Sequence, residues 1–190
     1  MRATALLLFL PVFTGVLAAA DAAKYDYRVL ATTKTSTMEK ELNEAAAAGY
    51  SFSSVMGGET AIGGKEVLVV MAKKLDAQAS GNKQYKLLAT SKTSTMQKEL
   101  MQAGEEGFEY CGETVFQSTF GGKEVSVILE RDAASKKRIE YKLLATSRTS
   151  TMQKELKEAG DAGFEFVGVV VGGTAFGGKE VVSILRRYVD

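Results

Sequence analysis

The chain contains one unit of sequence three times, and this repetition limits the folds that are open to it. The stretch YRVLATTKTSTMEKEL starts at Tyr27, and it recurs as YKLLATSKTSTMQKEL from Tyr85 and as YKLLATSRTSTMQKEL from Tyr141. A second block, IGGKEV or FGGKEV, follows at the same distance in every copy, so residues 27–71, 85–129 and 141–185 align without a gap. Repeats of this length are single supersecondary units that bury their apolar faces on their neighbours.

Within each unit the apolar spacing changes from that of a strand to that of a helix and back. In the third unit residues 141–146 alternate as a strand does, and Met152, Leu156 and Ala159 then recur at spacings of four and three, which is typical of a helix. Gly163 predicts the helix end, because glycine adopts the left-handed conformation without a steric penalty. Two segments rich in Val and Ile follow, separated by a Gly-Gly pair that suits a hairpin. Each unit is therefore predicted to be a βαββ module.

The start of each helix carries a serine three residues before a Glu or a Gln. The three pairs are Ser36 and Glu39, Ser94 and Gln97, and Ser150 and Gln153. This spacing is typical of a capping box, in which the two side chains satisfy backbone N–H groups of the first turn. We therefore expect the serines to be helix N-caps, and replacement of one by Ala to cost ~1 kcal/mol.

The last strand of each unit is apolar on both faces, since Val182 and Ile184 alternate with Val181 and Leu185. One helix covers only one face of a three-stranded sheet, so the other face needs another repeat. The sequence predicts an α+β fold of three tandem βαββ repeats, at 25–75, 83–132 and 139–190, with antiparallel-rich sheets packed together and helices outside. An approximate threefold and a stacked arrangement both meet this requirement, and a single repeat should not fold alone.

The first twenty residues have the composition of a secretory signal peptide. Arg2 precedes an apolar stretch that runs to Leu17, and three alanines end the segment. The alternative is a membrane anchor, but Pro11 interrupts the apolar stretch, which is also short for a bilayer span. We expect cleavage of residues 1–20 before Asp21, a periplasmic or extracellular protein, and no membrane span in the mature chain.

The composition removes most familiar catalytic centres. The 190 residues include no His and one Cys, Cys111, so the chain has neither a His-based nucleophile system nor a His-ligated zinc site. The formal net charge of +1 offers no basic footprint for a polyanion. We therefore expect no catalytic residues, no metal, no cofactor and no nucleic-acid partner.

Short motifs recur at the helix and at its end. They are Leu42-Asn43-Glu44 and Gly49-Tyr50 in the first unit, Gly107-Phe108-Glu109 in the second and Gly163-Phe164-Glu165 in the third. Together with the Y-K-v strand before the helix, they resemble a small bacterial family of βαββ domains of unknown function, although the Trp of single-copy members is absent. The resemblance covers nearly the whole chain after the signal peptide, and it implies a fold and no activity.

The helix entrances are the best candidates for a ligand site. Each combines one cation with hydroxyl groups beside the free N–H groups of a helix start, which would suit a phosphate, sulfate or carboxylate. The residues are Lys34, Thr35 and Ser36, Lys92, Thr93 and Ser94, and Arg148, Thr149 and Ser150. The alternative is that the hydroxyls only cap the helices, in which case the donors are already used.

A second candidate site consists of the glutamates that follow the Gly-Gly-Lys turns. Glu66, Glu124 and Glu180 occupy equivalent positions, so a pseudo-threefold arrangement would bring them together in a charged site between the repeats. The alternative is that they are solvated residues at hairpin ends.

These features favour an exported, non-enzymatic binding or structural module whose partner is an unidentified protein or envelope component. The copies differ most at 55–60, 113–118 and 169–174, so we expect these segments to be recognition surfaces, with neutral drift as the competing explanation. The alternative function is an anion sensor, or an enzyme with charged residues gathered between repeats.

Overall fold

The structure is a computed structural model that describes residues 23–60, 64–76, 83–117, 123–173 and 178–189. The described strands are β1 (Tyr25–Thr32), β2 (Ser51–Thr60), β3 (Gly64–Lys74), β4 (Lys83–Thr90), β5 (Glu109–Gln117), β6 (Lys123–Asp132), β7 (Arg138–Thr146), β8 (Glu165–Gly173) and β9 (Lys179–Val189). The described helices are α1 (Thr35–Ala47), α2 (Thr93–Glu105) and α3 (Thr149–Asp161). The predicted signal peptide and most of each hairpin turn lie outside these residues.

Each repeat forms one antiparallel sheet with the third strand in the middle. The strand orders are β1-β3-β2, β4-β6-β5 and β7-β9-β8, so the strand before each helix is always an edge strand. Each second strand carries a one-residue bulge at the same place, for example between Phe52 and Ser54. The predicted α+β fold of three tandem βαββ repeats is confirmed.

The capping-box prediction for Ser36, Ser94 and Ser150 is wrong. The N-cap positions belong to Lys34, Lys92 and Arg148, and no side chain caps the helices by a hydrogen bond. Each serine is the second residue of its helix. The local contact that shapes each entrance comes from the strand instead, since Thr90 Oγ1 accepts a hydrogen bond from the Lys92 N–H at 3.2 Å.

The predicted helix ends are confirmed. Gly49, Gly107 and Gly163 have φ angles of 88°, 85° and 84°, in the left-handed region that favours glycine. The N–H of the aromatic residue that follows donates back to the last turn, as from Phe108 to the Ala103 carbonyl at 2.9 Å. This is the Schellman type of helix end.

The hydrophobic core is shared between neighbouring repeats. One buried cluster joins Met38 and Leu42 of α1 to Tyr85 and Ile128 of the second repeat. The other joins Leu100 of the second repeat to the third repeat through buried residues of β7, β8 and β9. As predicted, β6 is buried on both faces, because Ile128 packs toward the first repeat while its neighbours Val127 and Leu129 pack toward the third.

The repeats stack in chain order. Packing between repeats joins α1 to β4 and β2 to β5, and then α2 to β7 and β5 to β8, whereas no comparable packing joins described elements of the first and third repeats. Of the two predicted arrangements, the structure has the stacked one. The sequence predicts helices outside the packed sheets. In the structure, α1 and α2 each lie between their own sheet and the first strand of the next repeat.

Candidate interaction faces at the ends of the stack

The boundary between the first two repeats joins a helix to the edge of the next sheet. The side-chain amide of Asn43 donates to the Tyr85 carbonyl oxygen, and Asn43 Oδ1 accepts from the Tyr85 N–H, both at 2.9 Å. One turn earlier, Glu39 Oε2 accepts from the Leu87 N–H at 2.8 Å. Polar side chains of α1 thereby satisfy backbone groups that the edge strand β4 would otherwise leave unpaired.

At the boundary between the second and third repeats, one side chain of α2 makes both kinds of hydrogen bond to the edge strand β7. Gln97 Nε2 donates to the Tyr141 carbonyl oxygen at 2.9 Å, and Gln97 Oε1 accepts from the Leu143 N–H at 2.7 Å. Gln97 is the repeat equivalent of Glu39, and Tyr141 and Leu143 are the equivalents of Tyr85 and Leu87. The chain therefore contains one type of boundary twice.

The second strands complete each boundary through small residues. Phe52 and Val55 lie so close to Gly112 that a Cβ on this glycine would be 3.1 and 3.2 Å from their side chains. One repeat later, Tyr110 and Glu113 lie against Gly168, and a Cβ there would be 2.6 Å from a carboxylate oxygen of Glu113. Each of these glycines thus leaves room for large side chains of the preceding repeat to lie against the backbone.

Among the elements that the structure describes, none packs on the outer side of the first repeat, and its residues there are exposed. Tyr27 is 62% exposed, whereas its equivalents Tyr85 and Tyr141 are 3% and 2% exposed at the two internal boundaries. We call this surface the N-terminal face, and it consists of Tyr25, Tyr27, Val29 and Met56, all about half exposed or more.

At the other end of the stack, no described element covers the outer side of the third repeat. Met152 and Leu156 of α3 are only partly buried, whereas their equivalents in α1 and α2 are fully buried. On β8, three apolar side chains are about half exposed. We call this surface the C-terminal face, and it consists of Met152, Leu156, Phe166, Val169 and Val171.

The predicted anion-binding residues lie at three separate helix entrances, one in each repeat. Lys34, Lys92 and Arg148 are the N-cap residues, and Thr35, Thr93 and Thr149 are the first helical residues. At the second entrance a carboxylate already contacts the hydroxyl, since Thr93 Oγ1 donates to Glu180 Oε1 at 2.7 Å. That negative charge disfavours an anion at this entrance.

The glutamates of the proposed charged site are spread along the stack. Glu180 contacts the second helix entrance, and Glu66 lies opposite Gly58 within the first sheet, where it has an interaction of its own. Glu124 lies in β6 opposite Phe116. Across the described residues, no group of three or more acidic or cysteine side chains is placed to hold a metal ion.

Buried polar groups at the first boundary form a structural network. Tyr85 OH accepts from the Phe52 N–H at 2.8 Å and donates to Glu130 Oε2 at 2.9 Å. Burial, and then the charge of Glu130, raise the pKa of the nearby Cys111 thiol and likewise that of Tyr85. A cysteine held as a neutral thiol is a poor nucleophile, so this network supports packing rather than reaction.

The divergent segments contact one another where the structure describes them. A Cβ on Gly57 would be 2.7 Å from Thr114 Oγ1, and Glu113 Oε1 accepts from the Val169 N–H at 3.1 Å. Differences between these segments therefore have a packing explanation at the internal boundaries. Met56 of the first segment and Val169 and Val171 of the third contribute to the end faces.

The fold defines the class of this chain, which is a tandem βαββ repeat protein with stacked repeats. No family model, no curated protein and no solved structure matches the chain. Among the helices in the described part of the chain, none is long and apolar enough to cross a membrane.

Proposed function

We propose that the protein is a non-catalytic interaction module that binds protein through its two end faces. The observation that carries this proposal is the contrast between Tyr27, which is 62% exposed, and its buried equivalents Tyr85 and Tyr141. Groups that are buried at both internal boundaries are left open at the ends, where a partner would cover them.

The chemistry of the faces supports a protein partner. Terminal repeats of stacked proteins that end in solvent carry a polar outer surface. Here Tyr27 and Val29 lie on one end and Phe166 and Val171 on the other, and each is about half exposed. Clusters of exposed apolar and aromatic side chains are typical of protein-binding surfaces.

Export of the protein to the periplasm or the cell exterior is part of this proposal. It is supported by the signal-peptide composition of residues 1–20 and by the single Cys, which leaves no internal disulfide to form. We also propose that the chain is a three-copy relative of the small bacterial βαββ family that its motifs resemble. The partner would then be another exported protein or an envelope component.

Site-specific photo-crosslinking in the intact host tests the proposal. A photoreactive phenylalanine analogue replaces Tyr27 or Phe166 in separate chains, and it replaces Lys40, an exposed residue of α1, in the control. We expect discrete protein adducts from positions 27 and 166 and none from position 40. A Val169→Glu substitution beside Phe166 should abolish the adducts from position 166, because it places a charge on the same surface.

Two results would contradict the proposal. One is the absence of adducts from both end faces. The other is an identical set of adducts from positions 27, 166 and 40, which would show contact without a preferred surface.

A further inference from the structure

The two end faces correspond to the two sides of an internal boundary. At each internal boundary, the helix of one repeat contacts the first strand of the next, and the second strands of the two repeats contact each other. Among the described elements, the C-terminal face consists of a helix and a second strand that no repeat follows, and the N-terminal face consists of a first strand and a second strand that no repeat precedes. We propose that the C-terminal face of one molecule binds the N-terminal face of a second copy, so that the repeat stack continues from chain to chain. This proposal rests on the proposed function and names its partner.

The hydrogen-bonding groups needed for this contact are present. Gln153 of α3 is the equivalent of Gln97, and its side chain is exposed. The strand groups that it would meet belong to Tyr27 and Val29, the equivalents of Tyr141 and Leu143. In the assembled stack, Gln153 donates to the Tyr27 carbonyl and accepts from the Val29 N–H, as Gln97 does within the chain.

The shape of α3 also fits an incoming strand. Gly104 of α2 lies against the Ile139 carbonyl oxygen, so closely that a Cβ would clash with it. Its equivalent in α3 is Gly160, where a Cβ would meet nothing within 4 Å. Inside one molecule this glycine only weakens the helix. In the stack it leaves room for Tyr25, which is the equivalent of Ile139.

Charges at the rim of the contact are complementary. At the second internal boundary, one cleft of about 160 Å³ is lined by Met101 and Glu105 of α2 and by Arg138 and Glu140 of β7, among others. The repeat alignment places Lys157 and Asp161 of α3 at the positions of Met101 and Glu105. It places Lys24 and Asp26 of a second copy at the positions of Arg138 and Glu140, so each cation gains an anion.

The ion pair that Lys157 and Asp161 form within one molecule does not prevent this contact. Lys157 and Asp161 form an i,i+4 pair at 2.7 Å, and their side chains are 72% and 68% exposed. Such exposed pairs contribute little to stability, so their rearrangement costs little.

The contact joins two different surfaces, so it does not close on itself in a dimer. A contact of this heterologous kind leaves one face free at each end and adds further copies, whereas a twofold contact uses one surface twice. Because the internal repeats stack in order without returning to the first, we infer an open head-to-tail assembly.

Sedimentation velocity of the purified chain from micromolar to submillimolar concentration measures the assembly directly. We expect the average mass of the parent to rise with concentration beyond twice that of one chain. Tyr27→Glu on the N-terminal face and Phe166→Glu on the C-terminal face should each keep the chain monomeric. Lys40→Glu, on the exposed surface of α1, should assemble like the parent.

A mixture of the two single-face variants gives the sharpest test. Each variant retains the face that the other has lost, so the mixture should form a one-to-one dimer, with twice the mass of one chain, and grow no further. Thermal melting checks that both variants fold. If Phe166→Glu lowers the melting temperature, Gln153→Lys on the exposed surface of α3 replaces it, with the same expected result.

The outcomes separate this proposal from the proposed function. A monomeric parent over the whole range overturns the head-to-tail assembly, and adducts from positions 27 and 166 with a different protein would then leave the proposed function standing. Dimers that persist in both single variants indicate a twofold contact and also overturn the assembly. Absence of both assembly and adducts contradicts the two proposals together.

Discussion

Asn43 satisfies both backbone polar groups of Tyr85, donating to its carbonyl oxygen and accepting from its N–H, each at 2.9 Å. These two residues lie 42 positions apart and belong to different repeats. The asparagine side chain takes the place of a neighbouring strand at the edge of the second sheet. A helix can therefore protect an edge strand through one amide, because the amide carries a donor and an acceptor like those of the backbone.

Replacement of Asn43 by Ala should lower the free energy of unfolding by roughly 1–2 kcal/mol, because two backbone groups of the part-buried edge strand lose their partner. Urea denaturation monitored by circular dichroism measures the change. Lys157→Ala, at the equivalent position of α3, is the matched control and should change the stability of the monomer at low concentration by less than about 0.5 kcal/mol. Equal losses in the two variants would show that the position matters for the helix alone.

A methyl group at equivalent glycines should have opposite effects in α2 and α3. Gly104→Ala places a Cβ against the Ile139 carbonyl oxygen, and such overpacking should cost roughly 1–3 kcal/mol. Gly160→Ala meets open space and should stabilise the chain by up to ~1 kcal/mol through helix propensity, measured on the monomer at low concentration. Stabilisation by both substitutions would contradict the close approach of β7 to α2.

The helix entrance should depend on the threonine of the strand rather than on the serine of the first turn. Ser94→Ala should change stability by less than about 0.5 kcal/mol, because Ser94 makes no capping hydrogen bond. Thr90→Val removes the hydroxyl that accepts from the Lys92 N–H and should cost about 1 kcal/mol. Thermal melting of the two variants decides the order, and a larger loss from Ser94→Ala would restore the capping-box interpretation.

The sequence was sufficient to predict the features that depend on local spacing. The repeat alignment placed the strands and helices, Gly107 marked a helix end, and the two apolar faces of the last strand required a shared core. The partner of Gln97 was not predictable in this way, because its spacing from Ser94 also fits a capping box. Only the fold shows that this side chain forms a hydrogen bond across a boundary with Tyr141, which lies 44 residues further along the chain.

The end faces could not be identified from composition for a related reason. Tyr27, Tyr85 and Tyr141 are equivalent in sequence, and only their place in the stack makes the first exposed and the others buried. The same holds for Leu156, whose equivalents are fully buried. Knowledge that the repeats stack in order, rather than around a threefold axis, was needed to separate the terminal surfaces from the internal ones.

The third repeat should not fold by itself. Ile139, Tyr141, Val182 and Ile184 are at most 2% exposed, and all four belong to the cluster shared with the second repeat. A chain of residues 138–190 would expose them, and the remaining sheet and helix form a marginal module. We expect no cooperative transition in calorimetry of this fragment, whereas residues 83–190, which restore the shared cluster, should show one. A sharp transition in the shorter fragment would refute the shared core.

Glu113 lies where the second strand of one repeat contacts the next. Its Oε1 accepts from the Val169 N–H at 3.1 Å, while its Oε2 is buried without a hydrogen-bond partner. Burial raises the pKa of this carboxyl above the ordinary 4.5, and the hydrogen bond to Val169 opposes the shift only in part. The carboxylate is therefore held less favourably in the folded chain than in the unfolded chain.

This difference makes the contribution of Glu113 to stability depend on pH. Its contribution is fully present below about pH 4.5 and is lost as the pH rises through the raised pKa, because the folded state then binds more protons than the unfolded state. Glu113→Gln keeps an acceptor for the Val169 N–H and cannot ionise, so its advantage over the parent should grow with rising pH across this window. Urea midpoints at several pH values measure the difference, with Glu158→Gln on the exposed surface of α3 as the control for charge removal. A difference that stays constant or shrinks with rising pH would show that the Glu113 carboxylate is well solvated at the boundary.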